Sequence, residues 1–400
     1  MDILSPLQNT TFRWLFLSQL VSLIGTGLTT VALALFAYEL SPTHAGAVLG
    51  SALALKMVAY LGVAPVVGGY VSRLPRKQWL AALNIGRTVL VAALLLISEI
   101  WQLFAVIFLL NALAAGYTPV YQALLPDVLP EDEEYTKALS LSRLAMEMEA
   151  LLSPMLAALL LVVASYELLF GLNAAAFALT AGLVLITVIP AGQLSERTGG
   201  VWHHVSFGIT SYLKTPRLRG VLLLNLALSA AGAMIIVNTV VYVRAVLGLG
   251  EQQVPLLMAA AGVGSMIAAV VLPRLLEHWH DRPVMLCGGV LFVVALLFGT
   301  LEPGYIALFP IWALIGFATS LVLIPTGRVV RESCNAGDRN DYFSANFALT
   351  HGMWLLGYLL AGWLGSWFSM GVTFGLMALV ASLACVLAVR VWPKDEKHAL

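Results

Sequence analysis

Five ionisable side chains interrupt long apolar runs: Lys56, Arg87, Glu147, Glu149 and His351. A charge at the centre of a bilayer costs about 2.5–3.5 kcal/mol on insertion scales, so such residues mark ion paths, ligand sites or internal pairs. Low dielectric disfavours the charged form of a carboxylate and brings its protonation within reach of physiological pH. Glu147 and Glu149 are the only acids deep in an apolar run, so a proton carrier of carboxylate type has to be one of them. Two residues apart on a helix, they point roughly 200° from each other and cannot share a face. Arg143 precedes Glu147 by four residues and can pair with it. Glu149 shares its face with Met146 and Ser153 and has no such local partner. One glutamate is therefore expected to be structural and the other to titrate, and the balance favours Glu149 as the carrier. His351 could change charge near neutral pH, or serve as a hydrogen-bonded packing residue. Lys56 lies about 16 Å down its helix at 1.5 Å per residue, so it should face a wet cavity or an acid. Arg87 reads as one side of a structural pair.

The surroundings of these residues leave one class of element to hold them. The 400-residue chain is 60% hydrophobic and only 10% charged, with mean hydropathy +0.92. A hydrocarbon layer of roughly 30 Å needs about 20 apolar residues per helix, and lipid offers no partner to open backbone groups. The expected fold is an all-α integral membrane protein with twelve spans. They are read at 14–39, 44–71, 78–98, 101–124, 138–164, 167–190, 217–243, 252–274, 284–301, 304–326, 342–369 and 371–392. With both termini on one side, that side holds eighteen of the 21 Lys and Arg, leaving Arg244 opposite and Lys56 and Arg87 within spans. The positive-inside rule then makes it the cytoplasm of a plasma (inner) membrane. The N-terminal segment lacks the pattern of a cleavable signal and reads as the first span. Cys287, Cys334 and Cys385 are too few and too far apart for a disulfide or metal framework and read as small buried hydrophobes.

The longest non-apolar stretch divides the chain into 1–190, a linker at 191–216, and 217–400. Within the linker, Val205, Ile209 and Leu213 suit a short helix on the membrane surface. A faint repeat relates the halves: Pro119 precedes Tyr135-x-x-Ala138, and Pro325 precedes Tyr342-x-x-Ala345. Basic Arg73, Arg76 and Lys77 end the second span, while Asp127, Glu131, Asp132, Glu133 and Glu134 follow the fourth. Opposite charges at one membrane face can latch helices in one state and release them in another. Exposed pairs are worth only about 0–1 kcal/mol each, so such a latch needs several.

The loop from Gly68 to Leu80 reads GGYVSRLPRKQWL. It resembles the signature loop of the major facilitator superfamily, with Gly68, Arg73, Arg76 and Lys77 matching. Ser72 stands where that family usually has Asp, and Pro75 where it usually has Gly. The stretches YQALLPDVLPEDE and TSYLKTPRLRGVLLLNL look like the exporter branch that handles enterobactin and macrolides. The resemblance implies two six-helix bundles and a cavity lined by spans one, four, seven and ten. Those spans offer Gln19, Thr26 and Thr30; Asn111, Tyr117, Tyr121 and Gln122; Asn225 and Asn238; and Trp312. With Lys56 these make a polar, aromatic-walled lining suited to a medium-sized amphiphilic solute such as a drug, siderophore or metallophore. The expected activity is proton-coupled export by alternating access. A lipid or lysolipid translocator and an uncoupled facilitator or channel are the alternatives. No Walker-type loop, metal spacing, nucleic-acid patch or nucleophile–base pair is visible, so the partners expected are lipid, solute and protons. No cofactor and no enzymatic activity is expected, and the chain is expected to be a monomer.

Overall fold

A backbone in lipid must satisfy its own hydrogen bonds, and among the described residues every regular element is a helix. The computed structural model describes all residues except 1–2, 41–44, 72–74, 163–164, 192–199, 251–252, 393 and 395–400. Six long helices come first: α1 (Thr10–Leu40), α2 (Ala45–Val71), α3 (Arg76–Ala93), α4 (Ile100–Val128), α5 (Asp132–Leu161) and α6 (Tyr166–Ile186). A short α7 (Val201–Lys214) follows. Six more complete the chain: α8 (Pro216–Val246), α9 (Gln253–His278), α10 (Asp281–Gly299), α11 (Tyr305–Glu332), α12 (Arg339–Trp367) and α13 (Met370–Val391).

Helix contacts repeat between the halves. In the first, α1 packs on α5 and α6, α2 on α4, and α3 on α4 and α6. In the second, α8 packs on α12 and α13, α9 on α11, and α10 on α11 and α13. The pattern is the same under a shift of seven helix numbers, so the sequence repeat at Tyr135 and Tyr342 reflects repeated architecture. Two seams join the halves, α2 against α12 and α5 against α9. They exchange under the same shift, as a two-fold axis between the halves requires.

Several helices run further than their apolar cores. α4 reaches Val128, α5 begins at Asp132, α9 reaches His278, α11 reaches Glu332 and α12 begins at Arg339. Hydropathy stops at the lipid boundary, but the hydrogen-bond ladder does not, and Glu, Lys and Arg are good helix formers. Asp132, Glu133 and Glu134 occupy the first turn of α5, where carboxylates favour the positive end of the helix dipole. The charges of this basic face therefore ride on rigid helix ends.

α7 is docked onto protein, against α2 and α12. Its buried side carries polar groups that all find partners. His204 lies 3.1 Å from Asp341, the Tyr212 hydroxyl donates to Asn346 at 2.9 Å, and Gly208 abuts the Asp341 carbonyl. Trp202 stands exposed at its start. Cys287 also departs from expectation: it is exposed, whereas Cys385 is buried. On a lipid-facing helix an exposed thiol still meets an apolar medium.

Close approach of α9 and α11 depends on two glycines. A Cβ on Gly264 would overlap the Ala313 carbonyl, and one on Gly316 would overlap the Ala261 carbonyl. Gly316→Val should therefore force the helices apart and cost about 1–3 kcal/mol, read as a fall in thermal unfolding temperature in detergent. Gly182→Ala, where nothing lies within 4 Å of the new methyl, should leave that temperature unchanged.

Candidate functional site

The two mid-membrane glutamates diverge from α5 as their spacing requires. Glu147 points across the seam to α9. It is ion-paired with Arg143 and accepts a hydrogen bond from Ser265 at 2.9 Å. Arg143 Nε donates to the same hydroxyl at 3.0 Å, and Ser265 meets Ser320 of α11 at 2.7 Å. Glu147 thus sits in a closed polar network that spans both halves. Glu149 turns toward α1, where a Cβ on Gly27 would overlap its carboxylate and the Ser153 hydroxyl. Ser153 hydrogen-bonds to it and Lys56 acts on it electrostatically. No base among the described residues stands within ion-pair distance of Glu149.

The other seam is aromatic. Tyr60 of α2 packs on Phe347 at 5.0 Å and edge-on to His351 at 4.8 Å, while Phe347 and His351 lie 4.1 Å apart. His351 Nδ1 is 2.7 Å from the Phe347 carbonyl, which makes that nitrogen the proton-bearing one. The Lys56 ammonium lies 5.5 Å from the centre of the Tyr60 ring. Arg87 is buried and, among the described residues, finds no acid. It lies 4.9 Å from the centre of the Tyr117 ring and 5.4 Å from that of Phe177. A guanidinium over two aromatic faces is weakly hydrated and tolerates this setting.

The polar lining separates into two groups. Tyr121 donates to Gln19 at 3.1 Å and stacks with Tyr117 at 5.8 Å. Thr26 and Thr30 are exposed one turn apart on α1, and Asn111 and Gln122 are partly exposed on α4. Asn225, Asn238 and Trp312 instead lie in the packed interior of the second half. Asn225 bonds to Val221, Asn238 to the Ala361 carbonyl and Trp312 to Thr239. Periodicity alone could not separate these three from a lining, because a buried amide and a cavity amide both interrupt an apolar helix.

On the basic face the halves are joined by ion pairs. Asp127 at the end of α4 holds Arg76 of its own half with one oxygen and Arg339 of α12 with the other. Arg331 of α11 reaches Asp132 at 2.8 Å and the Pro130 carbonyl at 2.6 Å, with Tyr135 under its guanidinium. Arg328 bonds to Thr136 of α5 and to Asp281 of α10. Glu134 is occupied locally by Ser5 and Lys137, Glu131 is exposed ahead of α5, and Lys77 is partly exposed. Gly68 falls near the end of α2, and Arg73 lies outside the described residues. Sequence reasoning found Asp127 and Arg76 but missed Arg328, Arg331 and Arg339. Those three follow Pro325, in the segment whose likeness to the first half was visible in the repeat.

These contacts share one property. They join the halves from the basic face inward along α2, α12, α5 and α9. The Asp127–Arg339 and Asp132–Arg331 pairs close the face, the Tyr60 and Ser265 clusters come next, and Leu151 against Gly262 ends the series. Beyond it α5 exposes Leu152, Met155 and Leu159. The halves are joined at the basic face by ion pairs, and past Leu151 the exposed side of α5 is apolar.

Known proteins share this organisation. The chain is 23% identical to the uncharacterised MFS-type transporter YfiS of Bacillus subtilis over 94% of its own length and 93% of that protein's. Macrolide efflux protein A of Streptococcus pyogenes is 26% identical over 46% of each chain. The fold superposes on the human organic anion transporter MFSD10 (TETRAN) with TM-score 0.81 at 14% identity, covering 94% and 98% of the two chains. It superposes on a bacterial homologue of the iron transporter ferroportin, in an outward-facing state, with TM-score 0.77 at 16% identity, covering 95% and 98%. The family model of the Major Facilitator Superfamily matches residues 15–280 and 221–399, which together take in both halves, and the chain belongs to that superfamily of membrane transporters.

Proposed function

We propose that this transporter is a proton-coupled exporter of a medium-sized amphiphilic solute, working by alternating access between the halves 1–190 and 217–400 across the linker 191–216. The contrast between the two glutamates carries the reading. Glu147 is held by Arg143 and Ser265, whereas Glu149 faces Gly27 with no contacting base. A carboxylate without a contacting countercharge can take up and give back a proton without breaking the seam. The likeness of half the chain to a macrolide efflux protein supports the export direction. Lys56, Gln19, Thr26, Thr30, Asn111 and Gln122 then serve the solute, and Arg76, Asp127, Arg331 and Arg339 hold the shut face.

The test is flux in proteoliposomes. A growth panel of a deletion strain across drugs, siderophores and metals identifies the solute. Purified protein should then move it uphill only when a pH gradient is imposed. Equal flux with and without the gradient would make the protein an uncoupled facilitator.

Orientation is tested separately. The basic face, both termini and the linker should be cytoplasmic. Cysteines placed at Ser41 and Ser369 should react with an impermeant maleimide on intact cells, and one at Ser195 should not. Thiol reagents attack the thiolate, and burial pushes the Cys334 thiol up to about 12, so this native cysteine should add little background. Labelling of position 195 from outside would invert the topology.

A further inference from the structure

The cation at mid-membrane is left over by the coupling scheme. Lys56 is half-buried in α2, and among the described residues it makes no ion pair. It acts electrostatically on Glu149 and His351 but contacts neither. Its one close neighbour of note is the Tyr60 ring, 5.5 Å away. A cation–π contact of this kind returns about 0.5–2 kcal/mol, less than the several kcal/mol that a desolvated charge costs. A methionine would fill the same volume without that cost. An ammonium kept at this depth with no acid in contact, among the described residues, is therefore completed by something the chain does not supply.

The surface beside it has a definite character. Tyr60, Phe347 and His351 form one continuous aromatic patch, with ring centres 4.1–5.0 Å apart. His351 is fixed by its bond to the Phe347 carbonyl. Ala64, Ala115, Phe347 and Ala348 pack together in one buried apolar cluster, with Tyr60 against it. The patch is thus a partly exposed aromatic surface with one cation beside it. Resting on the reading of the inter-half space as the solute site, we infer that the solute is an amphiphilic organic anion. A carboxylate, sulfonate or phosphate group seats on Lys56, and a planar apolar body lies on Tyr60 and His351. Charge-assisted hydrogen bonds from the ammonium fix the head, and offset stacking fixes the body. A membrane potential negative inside drives such a solute outward, by about 2.3 kcal/mol per charge per 100 mV.

Two probes with one body and opposite charge test this. Naphthalene-2-sulfonate and 2-naphthyltrimethylammonium are measured by equilibrium dialysis against the full-length protein in nonionic detergent. The sulfonate should bind saturably, and the ammonium should not compete with it. Lys56→Met should weaken the sulfonate by about tenfold or more, the equivalent of one lost charge-assisted contact. Lys56→Arg should hold affinity within about threefold, because it keeps the charge. Lys56→Met should unfold at the parental temperature or above, which separates lost binding from lost fold. No saturable sulfonate binding, equal binding of the ammonium probe, or parental affinity in Lys56→Met overturns the assignment. If uphill flux of the panel-identified solute survives in Lys56→Met, export stands and the anion site falls. If the parent protein shows no coupled flux at all, the export reading falls while the dialysis result still decides the anion site.

Discussion

Glu149→Gln should abolish uphill export under a pH gradient while solute binding stays within about tenfold of the parent. Gln has the shape of the protonated acid and cannot cycle, so the step that returns the proton is lost and the binding surface is kept. Because Glu149 touches Gly27 and Ser153 rather than a base, its neutralisation breaks no ion pair, and thermal stability should fall less than in Glu147→Gln. Glu147→Gln should behave in the opposite way. It would leave Arg143 at mid-membrane without its acid and break the Ser265–Ser320 network that crosses the seam. Removing one member of a buried ion pair costs about 3–5 kcal/mol, so this variant should express poorly or unfold at lower temperature. Uphill export at the parental rate in both single variants and in the double variant would eliminate carboxylate coupling and return attention to His351.

Much of this site was legible because membrane folding punishes exceptions. Each charge in an apolar run stands out, and the two-residue spacing of Glu147 and Glu149 already forces them onto different neighbours. Which neighbours these are was not legible. Ser265 pairs with Glu147 across 118 residues of sequence, and a serine in a membrane helix carries no mark that distinguishes a partner from packing. The same holds for Asn225, Asn238 and Trp312, whose polar atoms mostly serve helix contacts within one half. Twelve spans could be counted because each must cross the same thickness of lipid. Their ends could not be set, because helices continue into water without a change of hydrogen bonding. That shortfall mattered most at the basic face, where Arg328 and Arg331 prolong α11 and Arg339 opens α12.

Loss of Arg339 should open that face. Arg76 and Arg339 share Asp127 but differ in what they report. Arg76 is buried within the first half, so its pair with Asp127 does not cross between the halves. Arg339 comes from α12, so its pair exists only while the basic face is shut. Arg331 is the same kind of contact, joining α11 to Asp132 and Pro130. Asp132 opposite Arg331 keeps 67% of its side-chain surface, whereas the Arg339–Asp127 pair is not fully exposed, with Asp127 keeping 20% and Arg339 15%. A hydrogen bond to a charged group in such a setting contributes about 1.5–3 kcal/mol. Arg339→Gln should therefore shift the balance between face-shut and face-open states by about ten- to hundredfold toward open. Adding Arg331→Gln should shift it further, because the two pairs act on one rigid-body equilibrium. Arg76→Gln should lower stability but move the balance less, since it removes a contact within one half. Distances between spin labels on the α4 and α11 ends of the basic face would report the populations. Identical distributions in the parent and the Arg339→Gln, Arg331→Gln double variant would mean that the apolar seams alone, Tyr60–Phe347 and Leu151–Gly262, hold the face shut.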